Sequence, residues 1–209
     1  MKEENKNLMK SKFEELCGFD TYKYLCDNLK KVNVAQNEDF RTKFNSYFKV
    51  RRNQDWQSRF YSYLEDNKEF SDIGFDDILD WGYKNLLSIK SNSNMVEASF
   101  CSKMLSIINP DKPVLDKNVL TSMSLKISGK NSEVRLESAK SAYREIERRY
   151  ALYLKSQNCK SAIELFDSFF PNCKEFTQTK KIDWFLWSFS KDELKKFDIF
   201  KELICTQDK

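Results

Sequence analysis

Within residues 133–157 the apolar side chains Val134, Leu136, Ala139, Ala142, Tyr143, Ile146, Tyr150 and Leu154 return every three or four positions. That is the period of one helix face, sustained over too long a run for a strand. Glu145 and Arg149 add an i,i+4 ion pair on the same helix. Elsewhere no alternating run of strand length and no internal repeat occurs. Only four glycines and three prolines punctuate 209 residues, so few positions can halt a helix. The expected fold class is all-α. A chain of this length can bury a core of its own, and the expectation is a single helical domain over residues 1–209. Its two lobes are expected to meet at a hinge in the polar, glycine-containing stretch 122–132.

Two absences narrow the chemistry. The chain has no histidine, which removes His-based triads, His-ligated zinc and His acid–base catalysis. Its six cysteines, Cys17, Cys26, Cys101, Cys159, Cys173 and Cys205, include no CxxC pair, so free buried thiols are expected. Neither a metal nor a cofactor is expected. The first residues, MKEENKNLMKSKF, lack an apolar leader core, and no apolar run reaches membrane-spanning length. A cytoplasmic protein with no membrane partner is the expectation. A net charge of +4 permits a nucleic-acid partner without requiring one.

Residues 7–29 read as two helices broken near Gly18, with Leu8, Phe13, Leu16, Tyr22, Leu25 and Leu29 inward. Residues 40–63 interleave rings with cations. Most of those rings fall at core spacing, but Arg51 and Arg52 beside Trp56 have the chemistry of phosphate contact and stacking. In residues 75–87, Asp76 and Asp77 suit the positive end of a helix better than a metal. Asp183 lies inside an apolar helix, flanked by Trp184 and Trp187.

The stretch 91–120, SNSNMVEASFCSKMLSIINPDKPVLDKNVL, organises the rest. A polar turn leads into a short helix carrying Phe100, Met104, Leu105 and Ile108. Asn109-Pro110 ends that helix, and an extended Pro-Val-Leu run delivers Asp116 to the head of the next. An aspartate in that position is ordinarily a helix cap. An apolar run just before it can also hold the carboxylate partly dry, as a catalytic group requires.

The order turn, helix, proline-containing loop, aspartate, helix resembles the signature segment of helix-hairpin-helix DNA glycosylases. The phrases KVRRNQDW, SFCSKMLSIINPDKPVLDKNV and KKIDWFLW are also similar to a set of short bacterial proteins of unassigned activity. The resemblance covers about thirty residues and implies a two-lobed helical glycosylase fold with DNA as partner. Residues 92–95 would form the hairpin, and Asp116 would be the catalytic carboxylate. It further implies Arg51, Arg52, Asn94, Ser99, Lys103 and Lys117 as DNA contacts, with Tyr47, Phe48 and Trp56 as base pocket or wedge. The hairpin lacks the family's two glycines. Glu97 and Ala98 stand where a lysine nucleophile would lie, with Lys103 out of register. The activity implied is therefore monofunctional: hydrolysis of the N-glycosidic bond of a flipped, modified base to leave an abasic site. The rival is a non-catalytic helical module that binds nucleic acid or protein in a phage-defence or toxin–antitoxin system, with Asp116 a cap and Asp183 a satisfied core acid. A metal-dependent nuclease would need clustered acids, and Asp76, Asp77, Asp80 and Asp116 form no recognisable set.

Overall fold

The computed structural model describes residues 3–87 and 94–204, and the described residues hold helices and no strand. The first half is α1 (Glu3–Leu16), α2 (Phe19–Asn28), α3 (Glu38–Phe48), α4 (Gln54–Asn67) and α5 (Phe75–Asn85). Next come α6 (Ala98–Ile108), α7 (Lys117–Ser122), α8 (Ser132–Tyr153) and α9 (Gln157–Phe169). The chain finishes with α10 (Gln178–Ser188), α11 (Lys191–Leu194) and α12 (Lys201–Ile204). No helix among the described residues is long and apolar enough to cross a membrane.

Local chemistry explains the boundaries. Asn37, Asn53, Asn131, Ser156 and Thr177 each stand just before a helix, and their side chains accept the amide three residues on. Each such cap contributes about 1 kcal/mol. Gly18 separates α1 from α2 at φ 53°, a left-handed conformation that costs glycine nothing. Gly82 serves packing instead. A Cβ there would come within 3.0 Å of Cys101 Sγ, so its absence lets α5 lie close against α6.

The middle of the fold is α10. Ile182, Trp184, Phe185 and Leu186 on this helix are all fully buried, and α1, α7 and α9 pack around it. Phe13 of α1 meets Phe166, Phe185 and Phe189 edge-on, at 4.8–5.5 Å between centroids. The buried apolar residues form one continuous cluster from Met9 to Ile204.

Two stripes differ from expectation. On α1, Leu8 and Leu16 are more than half exposed, while Met9, Phe13 and Cys17 point inward. Phe13 is inward as expected, but its companions are Met9 and Cys17 at i−4 and i+4, while Leu8 and Leu16 lie on the face of Lys12. On α8, Ala139, Ala142, Tyr143, Ile146 and Tyr150 are buried as expected, but Val134 is 44% exposed because the helix starts beyond the body of the fold. Residues 122–132, expected as a hinge, are fastened at several points. Arg149 Nη1 donates to Met123 O at 2.9 Å, Leu125 N to Leu120 O at 2.8 Å, and Ser128 N to Ser138 Oγ at 3.1 Å.

Two pairs of carboxyls with shifted titration pull stability in opposite directions with pH. Glu145, bonded first by Arg148 and then by Arg149, is pulled down to about 2 from 4.5. Glu193, bonded by Lys12 and by the Ser190 amide, is also pulled down to about 2. Both stabilise the fold above pH 4.5, and that contribution is lost as the pH falls towards 2. Asp116 and Asp183 are raised above 3.8 by burial, so their charged forms cost stability at neutral pH and mild acid relieves it. The melting temperature is expected to hold or rise slightly on mild acidification and to fall below pH 4.5. Glu145→Gln with Glu193→Gln should flatten the acid fall, and an unaltered fall in that double variant would refute the assignment.

Candidate active site

The loop between α6 and α7 is held from several sides. Pro110 O accepts from Thr177 Oγ1 at 2.7 Å, and Pro113 O accepts from Tyr143 OH at 3.0 Å. Val114 N donates to Asp183 Oδ1 at 3.4 Å. Leu115 N donates to Ser102 Oγ at 2.9 Å, and that hydroxyl lies 3.1 Å from Leu115 O and 2.9 Å from Ser99 O as acceptors. The helices α6, α8 and α10 thus all grip the segment that carries Asp116.

Behind the loop lies a buried polar group. Asp183 Oδ1 also accepts from Tyr150 OH at 2.6 Å, and Oδ2 accepts from Lys180 Nζ at 3.3 Å. Asp183 and Lys180 are both 0% exposed. The Lys180 ammonium faces the rings of Tyr22 at 4.6 Å and Trp187 at 5.0 Å, which partly replace its lost hydration.

Asp116 opens α7 as its N-cap, Oδ1 accepting from Val119 N at 3.0 Å. It is half-buried, in a cleft of about 370 Å³ whose walls include Ser99, Leu115, Lys117, Leu120, Ile127 and Arg135. A neighbouring recess shares Val96 and Arg135 and reaches Asn94, Lys130 and Asn131. Burial raises the Asp116 carboxyl, opposed by the Val119 amide, by Lys103, by the Asn118 amide and by Lys180. The N-terminal ends of α6, α7 and α8 all contribute to these walls, bringing their partial positive charges to one place. The amides of Ala98 and Ser99 meet no acceptor among the described residues.

Several cations of the fold are paired with acids, and those at the cleft rim are not among them. Lys140, Lys181 and Lys112 each reach an acid at 2.7–2.8 Å. Lys117, Lys130 and Arg135, exposed at the rim, form no ion pair with a described residue, and neither does Lys126 in the adjoining loop.

Of the sequence-derived site residues, Asp116, Ser99 and Lys117 share the cleft, with Asn94 in the adjoining recess. Residues 92 and 93 of the hairpin, with residue 91 of the preceding turn and Cys205, lie outside the described residues; Asn94 bridges to Leu87. Arg51 is exposed. Arg52 is committed within the fold, its Nε and Nη2 each 3.0 Å from the buried Glu97 carboxylate and its guanidinium 5.0 Å from the Phe100 ring. Lys103 turns inward to Phe48 O at 3.2 Å. The three rings do not wall the cleft. Phe48 and Trp56 are 2–3% exposed, Trp56 stacks on Phe60 at 4.9 Å, and the Tyr47 hydroxyl accepts from Trp184 Nε1 at 2.9 Å. They are core rings because α3 and α4 turn that face into the body of the fold. Sequence reading passed over Lys130, Arg135 and Ser102. Nothing local marks them, since their placement follows from which helix ends meet.

Among the described residues no group of three or more acids or thiols is arranged to hold a metal ion. Compared with protein-family models, with curated proteins and with solved structures, the chain matches none.

Proposed function

We propose that the chain is a monofunctional DNA glycosylase, which hydrolyses the N-glycosidic bond of an extruded base and leaves an abasic site. The observation that carries this reading is the setting of Asp116: a half-buried carboxylate, fixed by its loop, in a cleft whose rim cations pair with no acid among the described residues. A polyanion satisfies such a rim, and a carboxylate among cations and helix N-termini is placed beside a sugar rather than a phosphate. The order α5, α6, proline-containing loop, Asp116, α7 supports the same reading.

The chemistry follows from the charge that develops. As the C1′–N bond stretches, the sugar takes on oxocarbenium character. Asp116 faces that positive charge and accepts the proton of the attacking water. Extruding the base costs a few kcal/mol, to be offset by backbone contacts from Lys117, Lys130 and Arg135. The apolar side chains Leu115, Leu120 and Ile127 supply the partly dry wall.

The test is base release from duplexes carrying uracil, hypoxanthine, 8-oxoguanine or 7-methylguanine. Abasic sites, cut only after alkali, are expected with at least one of them. Lys130→Ala with Arg135→Ala should weaken binding and reduce the salt slope by roughly 2. The cap bond from Val119 N favours the second reading, a nucleic-acid-binding module without chemistry. Salt-dependent binding with no base released from any of the four duplexes would decide for that module.

A further inference from the structure

Glu97 heads α6 as its N-cap residue and also belongs to the wall of the Asp116 cleft. Its side chain makes no capping bond. The carboxylate turns instead to Arg52, which meets it fork to fork, Nε on Oε1 and Nη2 on Oε2, each at 3.0 Å. Among the described residues no other donor bonds to that carboxylate. Glu97 is 5% exposed, so little water screens its charge.

A planar guanidinium can compensate both oxygens of a carboxylate at once, and Arg52 is held in place to do so. It lies two residues before α4, whose cap is Asn53, and its carbonyl accepts from Gln57 Nε2 at 2.6 Å. Its guanidinium rests 5.0 Å from the Phe100 ring and 5.8 Å from the Trp56 ring. The Nε–Nη2 edge, one of the two that could grip a phosphate, is already closed on Glu97.

The charges of the cleft wall give this pair its importance. The charged side chains that line the cleft are Glu97, Asp116, Lys117 and Arg135. With Glu97 unopposed, the two acids would cancel the two cations, and a polyanion would meet no net attraction. With Glu97 neutralised, the cations outweigh Asp116 alone. On the DNA-binding reading of the cleft, on which this inference rests, that difference sets the affinity. We infer that Arg52 is a positioning residue that acts on DNA through Glu97. It cancels the buried acid of the wall and leaves the cleft positive, without itself touching a phosphate.

The experiment titrates an unmodified fluorescent duplex against the wild type, Glu97→Gln, Arg52→Met and the double variant that combines the two. Each titration is repeated over a series of salt concentrations. An unmodified duplex suffices because the charge contribution does not depend on sequence. Glu97→Gln releases the charge of Arg52 and should tighten binding by about 5-fold, the effect of one charge a few ångströms away in water. Arg52→Met leaves the acid uncompensated and should weaken binding by a similar factor. The double variant returns the wall to its wild-type charge, so its affinity and salt slope should match the wild type.

If Arg52 instead contacts a phosphate, the double variant loses that contact and its salt slope falls by about 0.9. That result would overturn the inference, and so would a Glu97→Gln protein that binds just as the wild type does. Arg52→Met strands a buried carboxylate, which is strongly destabilising. Glu97→Gln and the double variant strand none, so they decide the matter even where Arg52→Met does not fold. Melting temperatures report folding throughout. A wild type without salt-dependent binding would remove the DNA reading itself. A wild type that binds, beside a double variant that is weaker and flatter in its salt slope, removes only the role of Arg52.

Discussion

Replacing Asp116 with asparagine is expected to slow base release by about 10²-fold or more while DNA affinity is kept or rises. Asparagine has the same size and caps a helix about as well as aspartate, so the bond from Val119 N survives and α7 stays in place. On the glycosylase reading, what disappears is the negative charge beside the developing oxocarbenium, together with the acceptor for the proton of water. Binding improves or holds because a carboxylate no longer opposes the phosphates. In the wild type, burial raises the Asp116 carboxyl above 3.8, so the rate should fall on acidification through that raised value. The acid limb should vanish in the variant. The measurement pairs abasic-site formation with a binding titration, and the melting temperature reports folding. A variant that releases base at the wild-type rate would return Asp116 to the role of a helix cap.

Asp183→Ala should produce the largest loss of stability. Asp183 and Lys180 are both fully buried, and the same carboxylate accepts from Tyr150 OH and from Val114 N. Truncating it strands an ammonium and two further donors inside the core. Breaking a buried pair in that way costs about 3–5 kcal/mol, set against a total stability of about 5–15 kcal/mol for a typical domain. Asp183→Asn keeps an oxygen for Tyr150 and Val114 and loses the charge and the acceptor for Lys180, so it should cost less than alanine. Combining Lys180→Met with Asp183→Asn should restore part of the loss, because no charge is then left unpaired. Urea unfolding of the three variants checks this. A cost below 1 kcal/mol for Asp183→Ala would mean that solvent or a neighbour can rescue Lys180.

How much of this could be read beforehand differs between the helices and the site. The period of α8, the break at Gly18 and the cap at Asp116 depend on neighbours within a few residues, and the chain shows them directly. On α1 the inward Phe13 was legible, whereas Leu8 and Leu16 were read as its companions in place of Met9 and Cys17, which share its face. Arg52 looked like a phosphate contact because its partner Glu97 is 45 residues away. Phe48 and Trp56 looked like pocket rings for the same reason, since the spacing of aromatics does not say which face of a helix becomes covered. Lys180 and Asp183, i,i+3 in an otherwise apolar helix, did leave a local trace of the buried polar group.

The fastening of the Asp116 loop has a consequence for the order in which the molecule becomes competent. Ser102 is 13 residues from its partner in the loop, Tyr143 is 30 from its partner, Thr177 is 67 and Asp183 is 69. On a growing chain, Asp116 therefore emerges long before the helix that steadies it. That helix in turn packs against α1, which precedes it by about 160 residues. Contacts of such sequence separation carry loop-closure entropy and form late. A chain interrupted before Thr177 would contain Asp116 and the rim cations and still lack the contacts that α10 makes with the loop. The Asp116 loop is then fixed in one late event, when α1, α7 and α9 close around α10.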